Sequence, residues 1–181
     1  MKEFSEVLYK PFLSTIRGSY YGVINQDILD EECFNLARRA IAAFKFPKKS
    51  LAYEVYYGIR QEDGSLIYTK ENGEPIVETD DSAIPFARFI SNDVDYAEFE
   101  IIIAWMKVYW CENQISNADN FDDMYTDVNI KTFSRANAVD KNTKLMAEYR
   151  KYARDLENRY SRIQYEDGMN ISALGNINSD E

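Results

Sequence analysis

A chain of 181 residues with a formal net charge of −10, two cysteines and no histidine is long enough to bury a hydrophobic core without disulfides or a metal. It makes one domain with an appendage, or at most two small domains. The missing histidine removes the commonest general base and metal ligand near neutral pH, and an acidic body repels nucleic-acid phosphates.

The first 25 residues are expected to form an N-terminal arm. Phe4, Val7 and Leu8 precede Pro11, which is expected to end a short helix or extended run, and a loop follows through Gly18 and Gly22. The pair Tyr20 and Tyr21 then tucks aromatics under the body. Charges at Glu3 and Glu6 and the lack of a continuous apolar run argue against a signal peptide or anchor, so the chain is expected to be made in the cytoplasm.

Residues 26–163 are expected to be a helical body. Ile28, Leu29, Cys33, Leu36, Ala37, Ala40, Ile41 and Phe44 recur at helical spacing, with Asn25 or Asp27 to cap and Pro47 to terminate, which predicts an amphipathic helix over 26–46. Residues 51–79 switch to β-rich runs around Asp63-Gly64 and Asn72-Gly73, two turn signals that predict a hairpin or small meander inserted on the helices. Pro85 marks a loop, from which Phe86, Phe89 and Ile90 wedge under the next helix.

From residue 93 or 95 to Ile115 the apolar residues surround most of the helix circumference, which marks a buried helix. Asp95 and Glu98 fit a capping box at its start. Glu100 and Lys107 interrupt the run and exclude a membrane span. A second long helix is expected from Ala138, with one narrow seam of Leu145, Tyr149, Tyr152, Leu156 and Ile163. The predicted core is Leu36, Ile41, Phe99, Ile103, Trp105, Met106, Trp110 and Leu145. The fold class that follows is mainly α: a helical bundle with a small β insertion and an extended C-terminal arm.

Charge is uneven along the chain. Residues 131–162 hold nine Lys or Arg against four Asp or Glu, and residues 163–181 hold four acids and no base. The basic side chains Lys144, Arg150, Lys151, Arg154 and Arg159 read as a solvated or inter-subunit face with i, i+4 pairs such as Asp155 with Arg159, and nucleic-acid binding by this face is the alternative. In the arm 164–181, Tyr165, Met169, Ile171, Leu174 and Ile177 are too sparse to fold alone but suit anchors that dock on a partner.

Motifs for catalysis are missing. Gly58, Gly64, Gly73 and Gly168 stand singly, so there is no phosphate-cradling loop. Cys33 and Cys111 lack metal-ligand spacing and an activating imidazole, and read as buried thiols. Carboxylates cluster at Asp30 to Glu32, Asp80 to Asp81 and Asp119 to Asp127. The last cluster lacks the glycine and terminal glutamate of a calcium loop, and capping and solvation explain the three better than metal binding. No cofactor is expected. A carboxylate-dependent hydrolase is a lesser alternative, requiring two acids that converge in a pocket with a raised pKa.

The run EFEIIIAWMKVYWCENQISNADNF, then Tyr125, Asp127 and IKTFSRANAVDKNTKLMAEYRKYARDLENRYSR, forms a longer pattern. An acidic helix start leads to Trp110 and the pair Gln114-Ile115; Lys131, Phe133 and Ser134 precede Ala136-Asn137, and a long helix closes in Tyr160-x-Arg162. This pattern resembles the head-tail connector, or adaptor and neck ring, proteins of tailed phages across residues 86–163, and more loosely across 26–50. The resemblance implies an architectural protein without catalytic residues: a homo-oligomeric ring, a dodecamer, that docks under the portal protein in the virion neck. Such a ring encloses double-stranded DNA without reading its sequence and supports the next neck or tail protein. It further implies that the C-terminal anchors dock on the portal and that the basic helix lies between subunits.

Overall fold

The structure, a computed structural model, describes residues 2–16, 25–120 and 131–169, with side chains over 2–16, 25–116 and 139–162. The elements in chain order are β1 (Lys2–Glu3), a π-helical turn (Ser5–Tyr9) running into α1 (Lys10–Thr15), α2 (Gln26–Ala43), β2 (Tyr53–Arg60), β3 (Leu66–Ile67), β4 (Ile84–Phe89), α3 (Tyr96–Asn120) and α4 (Lys131–Met169).

The expected mainly α bundle is corrected to a mixed α/β fold. The strands form one curled antiparallel sheet in the order β1-β4-β2-β3. The small meander was anticipated, since Gly64 and Gly73 take φ of +84° and +83° at the two expected turns. Its two flanking strands were not. β4 occupies the stretch read as a loop at Pro85, and pairs with β2 from Tyr53↔Phe89 to Gly58↔Ile84. β1 reaches only Arg88 and Phe89, so β4 is an edge strand at Pro85, where a missing N–H is tolerated.

The N-terminal segment is likewise no arm. Phe4, Leu8, Tyr9 and Phe12 lie in the core at 3% exposure or less, and Pro11 lies in the first turn of α1, where the π-helical turn runs into it, instead of ending a helix. Phe4 lies 4.6 Å from Phe89, and Phe89 lies 5.5 Å from Phe99, so one face of the sheet is sealed against the N-terminal segment and α3.

The helices are near their expected places. The Asn25 side chain accepts from the Asp27 N–H to cap α2, which ends at Ala43, earlier than residue 46. The capping box of α3 is present: Glu98 N–H donates to Asp95 Oδ1 and Asp95 N–H to Glu98 Oε2. Leu36, Phe99, Trp105 and Met106 are buried as expected, each fully buried side chain of this size contributing ~1.5–3 kcal/mol. Ile41, Ile103 and Trp110 are half-buried against that core. Leu145 is half-buried without joining it.

α4 starts at Lys131 instead of Ala138 and runs through Tyr165 to Met169, where an extended arm had been expected. Its seam is displaced by about one residue, to Met146, Tyr149, Ala153, Leu156, Glu157 and Tyr160, while Tyr152 is 45% exposed. A small residue and two polar-tipped ones line the inner face, and apolar spacing alone skips them. Ile90, expected to wedge under α3, is 58% exposed. The layers run α4 on α3, α3 on α2 and α2 on β4 of the sheet, with Phe99 of α3 reaching Phe89, and the sheet face opposite Phe89 is only partly covered.

Candidate functional site

Two groups of acidic and aromatic side chains stand out, one between the helices and one on the outer sheet face. In the first, Glu98 is fully buried at the start of α3. Its Oε1 accepts from the Lys48 and Lys49 N–H groups at 3.1 and 3.0 Å and from the Tyr160 hydroxyl at 2.5 Å. Burial and the bond to Glu98 raise the pKa of that hydroxyl. One helical turn earlier on α4, Glu157 Oε1 accepts from Trp105 Nε1 at 3.1 Å and from the Lys45 N–H at 3.2 Å. The two carboxylates thereby fix the segment after α2, which has no secondary structure to satisfy its own N–H groups, to α3 and α4. Buried charge is tolerated where it is hydrogen-bonded in this way, and the arrangement holds structure. Beside it Phe46, Trp105, Tyr109, Lys45, Arg154 and Glu157 line a pocket of about 470 Å³.

The second group lines an open cleft of about 620 Å³ walled by Glu3, Asp30, Tyr56, Tyr68, Phe86 and Arg88. Alternation along paired strands puts Tyr56, Phe86 and Arg88 on the sheet face opposite Phe89. Tyr56 stacks on Phe86 at 5.8 Å between ring centroids, and Tyr68 meets both edge-on at 5.4 and 6.0 Å. Gly58 permits this wall: a Cβ there would lie 3.0 Å from the Tyr68 ring and 3.1 Å from the Ile67 carbonyl.

The carboxylates of the cleft are braced from behind. Glu3 Oε2 accepts from the Tyr56 hydroxyl at 2.6 Å. Asp30 accepts from Arg60 Nη2 at 2.8 Å and from Gln26 Nε2 at 2.9 Å, and Arg60 Nε also donates to Asp27 at 2.6 Å. Burial raises the Asp30 pKa against the lowering pull of Gln26 and Arg60. One raised acid in a cleft is part of what a hydrolase needs, but both Asp30 oxygens are occupied by donors. The arrangement is suited to binding.

The residues expected at the inter-subunit face are placed as follows. Lys144, Lys151, Arg154 and Arg159 are exposed and Arg150 is half-buried. Lys144 pairs with Asp140 at 2.6 Å, both side chains being mostly exposed. On α4 the basic residues Lys144, Lys151 and Arg159 project opposite the Ala153 and Tyr160 seam, interleaved with Glu148 and Asp155. Of the expected portal anchors, Tyr165 and Met169 belong to the helical backbone of α4, while Ile171, Leu174 and Ile177 lie outside the described residues, as does most of the Asp119 to Asp127 cluster.

Asp80 pairs with Lys70 at 2.8 Å and accepts from the Val77 N–H. Cys33 and Cys111 are buried free thiols whose pKa values burial pushes up to about 12 and about 11. Among the described residues no cluster of three or more acids, cysteines or histidines is placed to hold a metal, and no helix is long and apolar enough to cross a membrane.

Glu3, Tyr56, Tyr68, Phe86 and Arg88 were not candidates from sequence. The alternation Glu54, Tyr56, Gly58, Arg60 in β2 was the available signal, but its meaning depends on β4 lying alongside. The chain matches no family model, no curated protein and no solved structure.

Proposed function

We propose that the chain is a head-tail connector ring protein of a tailed phage, docking under the portal, extending the DNA channel and carrying the next neck or tail component. The observation that carries this reading is α4. A 39-residue helix is about 58 Å long at ~1.5 Å per residue, against roughly 40 Å across a compact body of this chain length. Over residues 139–162 only Ala153, Glu157 and Tyr160 of this helix are buried. A lone monomer gains little from so long a helix with so narrow a seam. In a ring its outer face has a neighbour.

Charge supports the same reading. An acidic body lets DNA phosphates slide past without sticking, and the acids interleaved on the outer face of α4 reduce its attraction for a duplex while leaving it able to pair with an acidic neighbour. The residues that carry the resemblance and whose side chains are described, Trp105, Trp110 and Tyr160 among them, lie at or beside the α3 and α4 seam, so they specify the helical unit. The C-terminal anchors beyond Met169 would then reach the portal from the end of α4.

The test is electron microscopy of the full chain with portal-bearing capsids. A closed ring of about twelve copies beneath the portal is expected, a count taken from the resemblance; particles bare at the portal vertex in the presence of excess protein would overturn the reading. Salt-dependent micromolar binding to duplex DNA near physiological salt would favour the nucleic-acid-binding alternative.

A further inference from the structure

Resting on the ring reading, we propose that the cleft on the outer sheet face receives a lysine or arginine side chain from the outer face of α4 on a second copy of this chain. Two features of the cleft select a cation. Its wall carries two acids, Glu3 and Asp30, against one base, Arg88, which is itself paired with Glu54. Its aromatic trio offers ring faces, and the chain itself seats a guanidinium there, with Arg88 5.6 Å from the Tyr56 ring centroid.

The long aliphatic stem of lysine or arginine covers the aromatic wall on the way in.

The occupant follows from charge and from layer order. The bases Lys144, Lys151 and Arg159 stand on the exposed side of α4, and α4 packs on α3 whereas the sheet packs on α2 through β4, so the bases and the cleft belong to different layers. Joining them between copies makes a head-to-tail contact, the kind that repeats around a ring until it closes.

The experiment is sedimentation velocity at low salt on the wild-type full chain and two variants. The cleft variant is Glu3→Gln with Tyr68→Ala; the helix variant is Lys144→Glu, Lys151→Glu and Arg159→Glu. All five positions are at least partly exposed, and circular dichroism checks that each variant is folded. Each variant alone is expected to self-associate roughly tenfold or more weakly than wild type.

Mixed in equal amounts, the two variants retain one good cleft and one good helix between them, so they are expected to form dimers that do not grow. If the cleft variant assembles as tightly as wild type, or the mixture stays monomeric while wild type assembles, the cleft is not the seat and the ring reading stands. Cleft-dependent binding of N-acetyl-arginine amide by a variant that still assembles would make the occupant a free small cation. Wild type that neither self-associates nor binds portal-bearing capsids overturns the ring reading along with this one.

Discussion

The helical carboxylates and the sheet carboxylates are built from the same chemistry to opposite ends. Glu98 accepts four donors in all, from Lys48, Lys49, Tyr160 and Asp95, and is sealed at 0% exposure. At the cleft, Glu3 and Asp30 keep one side toward solvent, and Tyr9 behind them has no partner among the described residues. A buried polar group that is fully paired secures the fold. One left unpaired, like Tyr9 Oη or Trp110 Nε1, costs the fold stability instead.

The largest effect that separates the two regions is expected from Glu98→Ala. It strands the Lys48 and Lys49 N–H groups and the Tyr160 hydroxyl, at a cost of about 3–5 kcal/mol in urea unfolding, with Glu98→Gln lying between it and wild type. Glu3→Gln is expected to cost under about 1 kcal/mol, since the residue stays partly hydrated. Equal losses at the two positions would erase the distinction.

Next is the alkaline limb. Burial lifts the Cys33 thiol from 9.0 to about 12, with Glu32 and Asp30 adding to it. Between those values the folded state keeps a proton that the unfolded chain has released, so stability falls as pH rises, by about 1.4 kcal/mol per pH unit for one such thiol. Cys33→Ala is therefore expected to flatten the fall in unfolding midpoint most clearly between about pH 9 and 10, above which Cys111 and the raised hydroxyls of Tyr9, Tyr56 and Tyr160 add slopes of the same sign. An unchanged slope would mean that Cys33 is not sealed beneath α2.

Smaller still, Tyr9→Phe is expected to leave stability unchanged or to raise it by about 1 kcal/mol, because it removes an unpaired buried hydroxyl. A loss beyond about 1 kcal/mol would show that the hydroxyl is already bonded in the monomer, and the contrast with Tyr160 would disappear. Tyr160→Phe, by comparison, is expected to destabilise by about 1–3 kcal/mol. The smallest change is expected for Lys144→Ala, under about 0.5 kcal/mol by calorimetry, since its pair with Asp140 is mostly exposed.

Local pattern was enough to place α2, most of α3, the capping box of Asp95 and Glu98, the turn glycines Gly64 and Gly73, and the burial of both thiols. Each depends on residues a few positions apart, where periodicity and capping chemistry operate. Local pattern failed at β1 and β4. Two residues, Lys2 and Glu3, carry no strand signal of their own and become one only because Arg88 and Phe89 lie alongside, and Pro85 argues for a loop until its strand is seen to be uncovered there.

The seam of α4 was misplaced by about a residue for a related reason. Glu157 counts as polar in any periodicity, yet it and Tyr160 are buried because Trp105, Lys45 and Glu98 bring partners from elsewhere in the chain. The cleft lay furthest from view. Its carboxylates and aromatic rings come from β1, α2, β2, β4 and the segment after β3, so no spacing in the chain links them. The sequence by itself determined where α2, α3 and the two glycine turns begin, since those follow from neighbours along the chain. Only the tertiary structure decided which polar groups are paired and which are left open, because pairing across long separations is a property of packing.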